Sequence, residues 1–243
     1  MREATEFRPK PMVMIGSHPI LWHIMKYYNV FGVKDFVLCL GYRGDIIRDF
    51  FINYRNYSSD IEVDLQTGDT TILRGEEIDW RVRLIETGID TMTGARLKIA
   101  SRYVEGDSCY VTYGDGLSTV DLKCLHAFHR QSGKPVTVTA VHPPSRFGEL
   151  QIGEGVARSF REKPQTSDGW INGGFMVFET AQLHRLRDGD ELSLEADVLG
   201  DLSARGELAV FPHEGFWQCM DTQRESTQLN ELWAGGAAPW KVW

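Results

Sequence analysis

Residues 36–40, Phe-Val-Leu-Cys-Leu, form an unbroken apolar run that stops at Gly41. Five apolar residues without alternation do not suit a strand with one wet face, and the run is short for a helix. It suits a strand covered on both faces, as in a parallel sheet. The flanks extend the pattern. Ser17-His18-Pro19 before Ile20-Leu21-Trp22-His23-Ile24-Met25 predicts a capped helix start, with Gly32 as its stop, and a second helix is expected from about Asp45 to Tyr54. Trp80, Val82 and Leu84 alternate with Arg81 and Arg83, which predicts a strand running into Glu86-Thr87-Gly88. Further on, a helical pattern spans 97–103, a strand 109–113, a helix 122–131 and a β-rich stretch 135–141. Shorter strands with Gly turns are expected over 147–179, then two helical stretches, a strand around 209–211 and a closing helix through Leu229, Leu232 and Trp233. Repeated strand–helix alternation gives an α/β fold with a mostly parallel sheet. A chain of 243 residues with 42% hydrophobic content can bury one core unaided, and no repeat or linker divides it, so residues 1–243 read as one domain.

Charge narrows the partners. Lys and Arg number 26 against 34 Asp and Glu, for a formal charge of −8, and no basic cluster stands out. Nucleic acid is excluded as a main partner, because backbone binding needs a concentrated basic face. A nucleotide is not excluded, since a few local cations and a metal suffice. The four cysteines, Cys39, Cys109, Cys124 and Cys219, show neither CxxC nor zinc spacing, which suits a reduced, cytoplasmic setting. No segment approaches the roughly 20 apolar residues of a membrane span, and the polar start with Glu3 and Glu6 does not read as a signal peptide.

Several fragments carry chemistry-bearing residues at strand ends, where ligands sit in open α/β sheets. Asp115, between Gly114 and Gly116, offers an exposed carboxylate suited to a hard divalent ion; the same pattern also serves an Asx turn. Asp221 follows an aromatic strand and precedes a helix, so it is either a second carboxylate for that ion or, like Thr222, a helix N-cap. Prolines on both sides of Lys10 hold its backbone extended and fix where the ammonium points, whether to a phosphate or to solvent. Glu162-Lys163-Pro164 pairs an acid and a cation beside a rigid turn. Thr91-Met92-Thr93-Gly94-Ala95-Arg96 places hydroxyls and an Arg at a helix start, which suits an anion or a base edge as well as capping. Asn172-Gly173-Gly174 breaks a strand, for a ligand or for a bulge.

Together these fragments resemble the sugar nucleotidyltransferases, and most closely the glucose-1-phosphate cytidylyltransferases. The matching pieces run in order from Phe7-Arg8-Pro9-Lys10-Pro11-Met12-Val13 through Pro19-Ile20-Leu21-Trp22-His23-Ile24-Met25, Glu86-Thr87-Gly88, Thr91 to Lys98 and Tyr113-Gly114-Asp115-Gly116. They continue with Arg146-Phe147-Gly148, Glu162-Lys163-Pro164, Ile171 to Phe175 and Gly215-Phe216-Trp217-Gln218, ending at Met220-Asp221-Thr222. The resemblance implies a Rossmann-like core with a β-rich sugar-binding part, and the conversion of CTP and α-D-glucose 1-phosphate to CDP-glucose and pyrophosphate. It implies that Lys10 contacts phosphates, that Thr91, Arg96 and Gly114 lie against the nucleotide, and that Asp115 and Asp221 hold Mg²⁺. Glu162, Lys163, Asn172 and Trp217 would face the sugar phosphate. No Ser/His/Asp or Cys/His set is expected, because the attacking phosphate is already ionised and needs no strong base.

The family opens with a strand and a Gly-rich loop ending in Gly-Thr-Arg, whereas the first Gly here is Gly16. The expectation is therefore a core lacking that strand and loop, with a gap in its sheet. Ala95 stands where the family usually has Gly, and Cys219 where it usually has Pro. Use of UTP or dTTP, and a non-catalytic sugar-phosphate-binding subunit, are the competing readings; the aromatic stretch Trp233 to Trp243 either packs on the core or on another subunit, and a homo-oligomer is the expectation.

Overall fold

The computed structural model describes residues 7–143, 149–153, 156–161 and 169–243. A 3₁₀ turn, Lys10–Met12, leads into a small antiparallel pair, β1 (Met14–Ile15) and β2 (His18–Pro19), and into helix α1 (Ile20–Val30). Pro19 immediately precedes α1, as its fixed φ favours, and nine of the eleven helix residues are buried. Strand β3 (Asp35–Leu40) follows, then α2 (Gly44–Ile52) and α3 (Tyr54–Ser58). An antiparallel ribbon, β4 (Ser59–Val63) with β5 (Thr70–Gly75), precedes β6 (Arg81–Glu86), which pairs parallel with β3. The ribbon was not legible in the sequence. Its apolar residues Ile61, Val63 and Leu73 are exposed, so they carry no core signal.

Helix α4 (Thr93–Ala100) continues as a 3₁₀ turn, Ser101–Tyr103, and leads to β7 (Ser108–Val111) and β8 (Gly116–Ser118). Helix α5 (Leu122–Ser132) starts where the Asp121 carboxylate accepts from the amides of Lys123 and Cys124, and it ends at Gly133 with φ 61°. Strands β9 (Val136–Val141), β10 (Glu149–Gly153), β11 (Val156–Arg161) and β12 (Ile171–Glu179) come next, with β10 and β11 forming a hairpin. The chain closes through α6 (Thr180–His184), a π-helical turn (Leu194–Leu199), α7 (Gly200–Ala204), β13 (Leu208–His213), β14 (Trp217–Cys219) and α8 (Gln223–Ala234).

The largest sheet runs β13-β9-β12-β7, with β13 parallel to β9 and the other two pairs antiparallel. The α/β reading stands, and the sheets mix parallel and antiparallel pairing. Among the described residues, β3 pairs only with β6 and β7 only with β12, so no strand joins the two sheets. One expectation fails here. Only Leu40 of β3 is buried, and Phe36 to Cys39 are half-buried, because a strand paired on one side leaves its other flank uncovered. Helix α1 knits the molecule together. Ile20, Ile24, Tyr27 and Tyr28 pack with Phe175 and Val177 of β12, while Leu21 and Met25 pack in a cluster with Leu40.

Candidate active site

The short segment Pro9-Lys10-Pro11 is held against the loop after β7. A Cβ at Gly114 would lie 2.8 Å from Pro11 Cγ, so only a bare backbone lets the two segments touch. That contact sets Lys10 beside Asp115. Strand β14 pairs with β8, with Cys219 opposite Gly116, and the Met220 amide donates to the Asp115 carbonyl at 2.9 Å. Asp221 is thereby fixed across from Asp115 by backbone alone. Lys10 Nζ lies 2.5 Å from Asp221 Oδ1 and 3.7 Å from Asp115 Oδ2. Three residues picked out separately in the sequence thus share one spot.

The competing cap at this point belongs to Thr222. Its hydroxyl accepts from the Glu225 amide, and Glu225 Oε2 accepts from the Thr222 amide at 2.8 Å, a full capping box at the start of α8. Asp221 is left to face Lys10. Burial pushes the Asp115 carboxyl above its ordinary range; Lys10 opposes that shift and the Asp221 charge adds to it. The hydrogen bond that Lys10 donates to Asp221 raises Lys10 in turn, against desolvation. Two carboxylates around one ammonium form a cation-shaped position with oxygen donors, which fits a hard divalent ion. Cys219 and Glu225 also bring a ligand atom each within 4.8 Å of the Asp221 carboxylate. Glu225 is committed to the cap, however, and burial together with Asp221 pushes the Cys219 thiol up to about 12, so neither is a ready ligand.

These residues open onto a cleft of about 660 Å³. Trp217 forms one wall, where its indole N–H donates to the Gly173 carbonyl at 2.7 Å. Strand β12 changes register against β9 between Asn172 and Met176. Gly174 lies in that break at φ 78°, and a Cβ there would stand 2.5 Å from the Tyr113 ring. The Tyr113 hydroxyl donates to Glu195 at 2.6 Å and accepts from Asn172 Nδ2 at 3.3 Å. Glu195 also accepts from Thr93.

The residues expected to lie against a nucleotide are placed less uniformly. Arg96 lines the cleft, but its guanidinium is a brace: it donates to the Leu40 carbonyl at 3.1 Å, Thr87 Oγ1 at 2.6 Å and the Ile89 carbonyl at 3.3 Å. Thr91 is buried, with Oγ1 2.5 Å from where a Gly88 Cβ would stand, and Thr93, two residues on, lines the cleft instead. Glu162, Lys163 and Arg146-Phe147-Gly148 lie outside the described residues. Sequence reasoning passed over Glu195, whose surroundings read as an ordinary helix.

Comparison with known proteins shows the family. A family model described as nucleotidyl transferase matches residues 1–220. The chain belongs to the nucleotidyl transferase family. It is 45% identical to a glucose-1-phosphate cytidylyltransferase of Salmonella typhimurium over 244 aligned positions, covering 100% of this chain and 95% of the relative. A probable glucose-1-phosphate cytidylyltransferase of Bacillus subtilis is 40% identical with the same coverage. Among solved structures, HddC from Yersinia pseudotuberculosis superposes with a TM-score of 0.68 at 23% identity, covering 93% of this chain and 91% of that one. An inositol-1-phosphate CTP transferase from T. maritima gives 0.65 at 14% identity, covering 100% and 91%. At these identities the two structures establish the fold.

Proposed function

We propose that this nucleotidyl transferase moves a cytidylyl group from CTP to α-D-glucose 1-phosphate, giving CDP-glucose and pyrophosphate. The observation that carries the reading is the meeting of Lys10, Asp115 and Asp221 at the mouth of one cleft. The identity to cytidylyltransferases along the whole chain supports the choice of substrates.

A phosphate oxygen of the sugar attacks the α-phosphorus of CTP. A new P–O bond forms as the bond to the β-phosphate oxygen breaks, and pyrophosphate takes the electron pair. Both partners arrive as anions, so the task is to hold them in line and neutralise crowded charge. Lys10 supplies a fixed cation for phosphate oxygens. Asp115 and Asp221 would hold Mg²⁺, which when bound neutralises the triphosphate and polarises the leaving oxygen. Gly114 admits Pro11 and so sets Lys10 at the phosphates, while Thr93 and Arg96 border the nucleotide side. On the sugar side, Trp217 and Asn172 face the glucose moiety; the family resemblance gives Glu162 and Lys163, outside the described residues, the same role. A reduced cytoplasmic setting suits the four free cysteines. Among the described residues, no helix is long and apolar enough to cross a membrane.

Pyrophosphate release with CTP, glucose 1-phosphate and divalent metal, each omitted in turn, tests the reading. Release should require all three and be fastest with CTP among the four nucleotides. Equal rates across the nucleotides would remove the cytidine assignment, and no binding of glucose 1-phosphate would remove the function.

A further inference from the structure

Glu195 has no part in the reading above, yet it ties together the walls of the cleft. It lies in the π-helical turn, a rare geometry frequent at functional sites. Its carboxylate accepts from Tyr113 at 2.6 Å, from Thr93 Oγ1 at 2.8 Å and from Ser193 Oγ at 3.2 Å. Tyr113 and Thr93 both line the cleft and come from different segments. Burial pushes the Glu195 carboxyl upward, but the hydrogen bonds, led by that from Tyr113, outweigh it and hold the group below its ordinary value.

An ionised carboxylate can only accept, so the direction of the chain of bonds is fixed. The Tyr113 hydroxyl must donate to Glu195, and its lone pairs then accept from Asn172 Nδ2 at 3.3 Å. Asn172 Oδ1 accepts from the Gly174 amide at 3.0 Å, which can only donate. The Asn172 amide therefore has one orientation, and its second hydrogen has no partner among the described residues. We infer that Glu195 is a positioning residue for sugar recognition: acting through Tyr113, it holds Asn172 as a donor to a hydroxyl oxygen of the bound hexose 1-phosphate. The inference rests on the proposed function, which puts the sugar phosphate at Asn172.

Glu195→Gln keeps the size of the side chain but breaks the direction. If its amide nitrogen faces Tyr113, the phenol must donate toward Asn172, where a donor already stands. If the nitrogen faces Thr93 and Ser193, it meets hydroxyls already accepting from the Leu194 and Ala196 amides. Tyr113→Phe removes the relay while keeping the ring against Gly174. The test compares the full chain with these two variants by calorimetry with glucose 1-phosphate, by steady-state kinetics, and by thermal unfolding. Both variants should weaken glucose 1-phosphate about tenfold, the scale of one lost hydrogen bond to a held donor. KM for CTP should stay within twofold, and preference over the C4 epimer, galactose 1-phosphate, should fall. Unchanged sugar-phosphate binding in both variants would overturn the inference, as would parallel rises in both KM values with a falling Tm. Failure of the parent chain itself to bind glucose 1-phosphate would remove the functional reading and the inference with it.

Discussion

Strands β9 and β3 reverse what their sequences suggest. Strand β3 carries Phe36-Val37-Leu38-Cys39-Leu40, yet only Leu40 is buried. Strand β9 carries Val136-Thr137-Val138-Thr139-Ala140-Val141, and all six residues are buried, both threonines completely. The difference is neighbours: among the described residues β9 is paired on both sides, by β12 and β13, and β3 on one side by β6. Position in the sheet, more than hydropathy, sets burial. The contrast also divides the cleft. Asn172 and Gly174, with the cleft residues Trp217 and Asp115, depend on the closely knit half, whereas Arg96 braces the ends of β3 and β6.

The most severe way to probe the knit half is at its chemistry. Asp115→Ala should lower kcat/KM by about 10³-fold or more, roughly 4 kcal/mol of lost transition-state stabilisation. Its thermal stability should hold near that of the parent, because the change relieves a partly buried charge. Turnover within tenfold of the parent would sink the metal-binding assignment. The next probe is packing. Phe178 on β12 is wholly buried, while Phe36 on β3 is half-exposed. Phe178→Ala should cost about 3–5 kcal/mol by urea unfolding and Phe36→Ala about 1 kcal/mol, because the cavity penalty needs a surround that cannot collapse. Equal costs would break the comparison.

What the sequence disclosed follows the same physics. Periodicity and punctuation located α1, β3, α5, β9 and α8, because local signals such as Pro19, Asp121 and Thr222 act on their own neighbours. Residue type singled out Lys10, Asp115 and Asp221, but their meeting depends on Gly114 admitting Pro11 and on β14 pairing with β8, which are long-range facts. The choice between Asp221 and Thr222 as cap was undecidable locally, since either side chain can cap. Glu195 was invisible, because Leu194-Glu195-Ala196-Asp197 reads as a plain helix and its bond to Tyr113 joins positions 82 residues apart. The ribbon of β4 and β5 escaped notice because its apolar side chains face solvent.

A smaller effect tests the seam between the halves. His23 on α1 is fully buried; its Nε2–H donates to the Ile15 carbonyl at 2.9 Å, and Nδ1 accepts from the Trp240 indole at 3.4 Å. Both ring nitrogens are thus satisfied in the neutral form. Burial pushes its pKa down to about 4, against the partly compensating bond to Ile15. Because the folded value lies below the unfolded one, the unfolded chain takes up the proton first as pH falls. Stability should be intact above about pH 6.5 and decline between there and about pH 4, by about 3 kcal/mol from this group. His23→Gln should lose that part of the slope in unfolding midpoints measured across the window. An unchanged slope would mean the carboxylates alone account for acid sensitivity.

The least disruptive test concerns the open half itself. Arg96 reaches one carbonyl at the end of β3 and two groups after β6 through a single planar fork. Arg96→Lys keeps the charge but cannot span three acceptors in that geometry. Losing about one net hydrogen bond, roughly 1 kcal/mol, should speed amide exchange at Gly41 and over Thr87–Ile89 several-fold. Amides of β9 and β12 should exchange as before, because their ladders do not pass through Arg96. KM for the nucleotide should rise modestly while KM for the sugar phosphate stays put, if Arg96 borders the nucleotide as proposed. Exchange that rises equally in β9 would show that the two halves share one cooperative unit.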